Sequence, residues 1–146
     1  MAAGFITLPD GRCLSRRWSA HDVIVRSIAD AVSSAPLRAW LLEQLPGPDD
    51  EEELGYGAWW RVSDDTSIRR VIDLRKMTAE NQDRFCEAVK HAAAMPREEE
   101  WLARCLEEFA DMVSRMECGE PPLSKSDLVA VLPLDGERIG PGWPSE

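Results

Sequence analysis

Hydrophobic residues recur along this chain with two periods, one typical of helices and one typical of strands. Steps of three and four residues predict helices over about 20–33, 37–45 and 79–94, and a fourth helix between Pro96 and Gly119. The fourth pattern is the most regular, and its apolar positions are Leu102, Cys105, Phe109, Met112, Val113 and Met116. The last helix is therefore expected to bury one face and to expose the other.

Residues with capping chemistry mark where these helices begin and end. Ser19, Ser34 and Thr78 each precede an apolar stripe and carry a hydroxyl that accepts a hydrogen bond from a first-turn amide. Pro96 suits the first turn of the fourth helix, and Gly119 is a typical residue to end it.

Shorter segments carry the signals of strands. Asp10-Gly11 predicts a tight turn between two strands within residues 5–18, and further strands are predicted over 56–62, 67–74 and 128–132. The expected fold is α+β, with three to four helices packed on one antiparallel sheet. A chain of 146 residues suits one domain, 1–146, with an irregular Gly- and Pro-rich tail at about 136–146.

Charge narrows the class of partner. The chain has 27 acidic and 17 basic residues, a formal net charge of −10. Nucleic acids are bound through clustered Lys and Arg, so we expect no direct nucleic-acid binding. The acidity suits a protein partner with a basic surface, or it serves solubility alone. Residues 43–60 hold six acids and no base, and residues 98–120 hold eight acids and two bases.

The cysteines and the first residues give expectations about the compartment. Cys13, Cys86, Cys105 and Cys118 are widely spaced and form no metal-ligand pattern, which indicates reduced thiols. The start of the chain lacks the apolar stretch of a signal peptide, and no apolar run approaches the roughly 20 residues of a membrane helix. We therefore expect a cytoplasmic protein that does not enter a membrane.

No catalytic, cofactor-binding or metal-binding residue is assigned. His21-Asp22 is a pair of the kind that metal-dependent phosphohydrolases use, but His91 is the only other histidine and no spaced set of acids goes with it. An acid in the first turn of a helix is the simpler interpretation. Gly55-Tyr56-Gly57 lacks the helix start and the Lys of a phosphate loop. A small enzyme with an unrecognised acid–base site stays open as an alternative.

The first candidate for a partner-binding surface is the acidic stretch together with the aromatic residues that follow it. Its members are Asp49, Asp50, Glu51, Glu52, Glu53, Tyr56, Trp59 and Trp60. Neighbours on one strand face opposite sides, so if Trp59 or Trp60 is core, the other is partly exposed unless a second layer covers it. Self-association through this strand also stays open, and the oligomeric state is not predicted. The second candidate surface is the acidic face of the last helix, Glu100, Glu107, Glu108 and Asp111.

One stretch resembles a known class of protein. Residues 55–61 (GYGAWWR) and 70–85 (RVIDLRKMTAENQDRF) form a predicted strand pair that runs into a helix capped by Thr78. They are similar to segments of small acidic bacterial immunity proteins of toxin–immunity systems. The resemblance implies a cytoplasmic protein that binds one cognate toxin and blocks it without catalysis, and it implies no specific binding residues. The alternatives are another acidic interaction module, such as a phage-encoded inhibitor or a secretion chaperone, and the small enzyme.

Overall fold

Helices and strands are both present in the computed structural model, which describes residues 3–45, 59–61, 68–120, 137–139 and 143–144. The strands are β1 (Ala3–Thr7), β2 (Cys13–Arg17), β3 (Trp59–Arg61), β4 (Ile68–Asp73) and β5 (Glu137–Ile139). The helices are α1 (Trp18–Ala31), α2 (Ala35–Glu43), α3 (Ala79–Ala94) and α4 (Glu100–Glu117), and one short 3₁₀ turn, Leu74–Lys76, follows β4. The fold is α+β, as predicted.

Two hydroxyl caps lie where the sequence predicts them. The Ser34 side chain accepts a hydrogen bond from the Leu37 amide at 3.4 Å. The Thr78 side chain accepts one from the Asn81 amide at 3.2 Å. Each bond satisfies an amide that has no partner within its own helix. Behind the Thr78 cap, α3 covers the predicted residues 79–94.

The start of α1 differs from the prediction. Arg17 is its N-cap residue and makes no side-chain capping bond, so Ser19 is not the cap. The pairing of β2 with β1 continues as far as Arg17, which lies opposite Ala3. The chain therefore passes from strand to helix without the intervening turn that a Ser19 cap would need.

Pro96 ends α3 instead of opening α4. A residue before proline is restricted to extended backbone, and Met95, the C-cap of α3, is extended with φ −78° and ψ 140°. α4 begins four residues beyond Pro96, at Glu100. At its other end, Gly119 has φ 75°, a conformation that suits a glycine after a helix.

The predicted turn at Asp10-Gly11 joins β1 to β2. The Leu8 amide donates to the Arg12 carbonyl at 2.7 Å. Gly11 has φ 97°, where a residue with a Cβ would be strained. The two strands pair antiparallel on either side of this turn, and the hairpin is confirmed.

The sheet is mixed, so the prediction of an antiparallel sheet is wrong at its central pair. The strand order is β2-β1-β4-β3-β5. β1 and β4 run parallel, with Phe5 opposite Val71 and Ile6 opposite Ile72, while the other neighbours are antiparallel. Turn signals determine the pairing only of strands joined by a short loop. β1 and β4 are separated by α1 and α2, and a long helical connection permits parallel pairing.

The C-terminal part departs from the prediction in one respect. β5 pairs antiparallel with β3, so residues 137–139 of the tail expected to be irregular form a short strand. The strand predicted over 128–132 lies outside the described residues.

The helices pack on one face of the sheet to form the main core. This core joins β1, β2 and β4 to α1, α2, α3 and α4. From the sheet it receives Ile6, Leu14 and Ile72. The opposite face carries a smaller buried cluster, Phe5, Cys13 and Val71. In the described part of the chain, none of the helices has both the length and the apolar character that crossing a bilayer requires.

Candidate functional site

The first predicted surface is only partly within the described residues. Residues 49–53 and Tyr56 lie outside them, whereas the backbone of Trp59 and Trp60 lies in β3. Trp60 is opposite Arg69 of β4 on one side and opposite Arg138 of β5 on the other. Both edges of β3 are therefore paired, so this strand offers no free edge to a second copy of the chain.

The second predicted surface is the outer face of α4, and all four of its predicted carboxylates are exposed. They are Glu100, Glu107, Glu108 and Asp111. The inner face of the same helix is buried against the core through Leu102, Leu106, Phe109, Met112 and Val113. The helix is amphipathic as predicted, and its packing holds the carboxylates on a fixed backbone. We call these four residues the α4 acidic face.

Ion pairs within α4 compensate two of the four carboxylates of this face. The Arg104 guanidinium donates to Glu100 at 2.7 Å, and that of Arg115 donates to Asp111 at 2.7 Å. The hydrogen bond to Asp111 is the main reason that the pKa of Arg115 is raised. These are the two bases among the eight acids of residues 98–120. Glu107 forms no ion pair within the described part of the chain.

Two arginines of the β1–β2 hairpin hold α4 against the sheet. Arg12 is buried, with 3% of its surface exposed. Its guanidinium contacts Asp10 at 2.6 Å and donates to the Glu120 carbonyl just beyond α4. Arg16 donates to Glu108 at 2.7 Å. The hairpin therefore fixes the position of the helix near its middle and at its C-terminal end.

Arg16 also contacts a cysteine of α4. Burial opposes its charged form, but hydrogen bonds to Cys105 and Glu108 outweigh this effect, so the pKa of Arg16 is raised. Glu108 is thus partly neutralised by a fixed cation. Among the described residues, Glu107 is the one carboxylate of the α4 acidic face that no basic side chain pairs with.

An exposed tryptophan lies at the start of α4. Trp101 is 40% exposed, and its indole N–H donates to the Glu99 carboxylate at 2.8 Å. Met95, at the end of α3, is 45% exposed. Neither residue is among the candidate site residues predicted from the sequence. The sequence does contain a sign of the exposed ring. Trp101 precedes the buried stripe that begins at Leu102, so it does not belong to the core face of α4.

His21 is a packing residue of α1. It is 4% exposed, and a Cβ added at Gly4 of β1 would lie 2.2 Å from its Cγ. The imidazole therefore lies directly on the β1 backbone. His91 is exposed on α3. Within the described ranges, no group of three or more His, Cys, Asp or Glu side chains is placed to hold a metal ion.

The four cysteines are free thiols, and two are buried. Burial, together with the nearby Glu117 carboxylate, raises the pKa of Cys86 to about 12. Burial also raises the pKa of Cys13, although Thr7 donates a hydrogen bond to its sulfur at 3.6 Å. A thiol that stays protonated is a poor nucleophile. Cys13 and Cys86 therefore contribute packing.

A shallow depression lies at the C-terminal end of α4. Its volume is about 240 Å³, and it is lined by Asp111, Ser114, Arg115, Cys118 and Glu120. Arg115 bridges Asp111 at 2.7 Å and Glu120 at 3.1 Å. Sites for small molecules are usually larger, about 300–1,000 Å³, and mostly apolar. This depression does not have those properties.

Comparisons of the chain with models of known protein families, with curated proteins and with solved structures find no match. The strand pair and the Thr78-capped helix of residues 55–85 are present as β3, β4 and α3. The resemblance of that segment to immunity proteins stays a hypothesis.

Proposed function

We propose that this protein is a non-catalytic binding protein, and specifically an immunity protein that neutralises a cognate bacterial toxin by direct binding. The observation that carries the proposal is the α4 acidic face: four exposed carboxylates on a helix whose other side is buried in the core. Three of them pair with arginines, and Glu107 forms no ion pair among the described residues. The net charge of −10 and the resemblance of residues 55–85 are further support.

Such a face suits a basic partner for two physical reasons. Complementary fields accelerate the encounter of the two proteins, and close charge pairs across an interface couple by roughly 1.5–7 kcal/mol. A helix held in place by the core and by Arg12 and Arg16 also loses little conformational freedom on binding. A toxin that acts on nucleic acid has a basic active site, which is the kind of surface that an acidic protein can cover.

The experiment is a capture assay with tagged protein in lysate of the native organism, at low and at high salt. The proposal expects one stoichiometric, basic partner that is released by salt. Expression of that partner alone should arrest growth, and co-expression of this protein should restore growth. Failure to capture a partner at low salt, or a partner whose expression is harmless, would contradict the proposal.

Charge reversal of residues 49–53, compared with reversal on the α4 acidic face, then assigns the surface. The segment with residues 49–53 was the first candidate from the sequence, and both segments carry a local excess of acids. The variant that slows association with the captured toxin identifies the steering surface. Equal association by both variants and by the unmodified protein would mean that neither segment steers the encounter.

A further inference from the structure

The connection between α3 and α4 carries an apolar patch set among carboxylates. Met95 and Trp101 are two of the four large hydrophobic side chains that are exposed in the described residues. Met95 is the first residue of this five-residue connection, and Trp101 is the second residue of α4. Glu98, Glu99 and Glu100 lie between them, and all three are exposed. We call these five residues the Trp101 patch.

Among the described residues, the cation nearest in sequence, Arg97, forms no ion pair with the glutamates of this patch. Arg97 turns back to α3, where it donates to the Ala92 carbonyl at 3.1 Å and contacts the Met95 sulfur at 3.7 Å. Among the described residues, Arg104 pairs with Glu100 alone, on an exposed surface. Neither Glu98 nor Glu99 forms an ion pair within the described part of the chain, and Glu99 contacts the exposed indole ring.

Trp101 is already oriented. Its indole N–H is held by Glu99 at 2.8 Å, which restricts the rotation of the ring while 40% of the side chain stays exposed. Glutamates at the start of a helix are explained by the helix dipole alone. The dipole does not explain an exposed tryptophan bound to one of them. Exposed tryptophans fixed before binding are typical anchors of protein interfaces.

We propose that the Trp101 patch binds an arginine side chain presented by the basic protein partner. A guanidinium stacks on an aromatic face and binds carboxylates through paired N–H groups, so one arginine engages both Trp101 and a neighbouring glutamate. Lysine offers a point charge without the planar fork. This inference rests on the proposed function and adds a residue-level preference to it.

The test uses the full chain and two peptide probes, hexa-arginine and hexa-lysine, in a ¹⁵N NMR titration at low and at high salt. The chain has six tryptophans, and a Trp101→Phe variant identifies the Trp101 indole signal. We expect hexa-arginine to move that signal and to bind about two- to fivefold more tightly than hexa-lysine, the gain expected of an exposed cation–π contact. Trp101→Leu should reduce the preference, because the stacking contact is lost and only the carboxylate contacts remain.

A Glu107→Lys variant is the matched control on the same helix. It should weaken both peptides to a similar extent and leave the arginine preference intact. The inference would be overturned if the two peptides bind with equal affinity and Trp101→Leu changes neither affinity. Salt-dependent binding of both peptides would still support the proposed function in that case. A Trp101 signal that shifts with protein concentration alone would identify a second copy as the occupant and would also overturn the inference.

Discussion

Substitution of Gly4 by alanine is expected to destabilise the protein through a single contact. The added Cβ would lie 2.2 Å from His21 Cγ, 2.4 Å from Nδ1 and 2.6 Å from Cβ. Carbon atoms pack best at about 3.5–4.0 Å, so α1 would have to move away from β1 by more than roughly 1 Å. His21 is only 4% exposed, which leaves its ring little room to turn aside.

The expected loss is about 3 kcal/mol, the upper part of the range for an overpacked core. Alanine reduces the freedom of the unfolded chain, and this offsets less than about 1 kcal/mol of the loss. For a chain of this size, the melting temperature should fall by about 6–12 °C. Urea unfolding followed by circular dichroism measures the change in the free energy of unfolding.

A double-mutant cycle with His21→Gly tests the cause. His21→Ala would leave the Cβ that lies 2.6 Å from the new methyl group, so glycine is the informative partner. In the His21→Gly background, Gly4→Ala should cost less than about 1 kcal/mol, because residues in contact are energetically coupled. The same cost with and without the His21 side chain would refute this explanation. A Gly4→Ala protein as stable as the original would refute the close approach itself.

Three further predictions concern the core and its buried polar groups. Asp73 is 2% exposed and accepts two hydrogen bonds from the Arg75 guanidinium at 2.9 Å. Because Arg75 is partly exposed and can be hydrated, Asp73→Ala should cost about 2 kcal/mol in urea unfolding. Phe109 is fully buried, and its ring is edge-on to that of Phe85 with 6.3 Å between the ring centroids. Phe109→Ala should lower the free energy of unfolding by about 3–5 kcal/mol and lower the urea midpoint. The pKa of Cys86 is raised from 9.0 to about 12, so its contribution to stability is complete below pH 9 and is lost as the pH rises towards 12. Cys86→Ala should flatten the fall of unfolding free energy in that window, and an unchanged slope would contradict the assignment.

The local parts of the fold were predictable because their signals are local. The Thr78 cap and the apolar stripe behind it define α3, and Asp10-Gly11 defines the β1–β2 turn. The parallel pairing of β1 with β4 joins residues more than sixty positions apart, and no short motif encodes it. β5 was missed because three residues are too few to show a period of two.

Part of the candidate site was also predictable from the sequence. Charge count and periodicity together predicted the α4 acidic face. The hydrogen bond from Arg16 to Glu108 spans 92 positions, so only the folded chain brings these groups together. Trp101 was visible in the sequence as an aromatic residue outside the buried stripe, but its bond to Glu99 required the helix geometry.

Attraction of a basic partner by the α4 acidic face can be measured in one kinetic comparison. Glu107→Lys and Asp30→Lys make the same change of net charge at exposed positions, the first on the α4 acidic face and the second on α1. Association rate constants with the captured toxin would be measured for both variants over a range of salt concentrations. We expect Glu107→Lys to lower the rate constant severalfold at low salt and to reduce its salt dependence, and Asp30→Lys to have a much smaller effect. Equal rate constants for the two variants would mean that the α4 acidic face does not attract the partner.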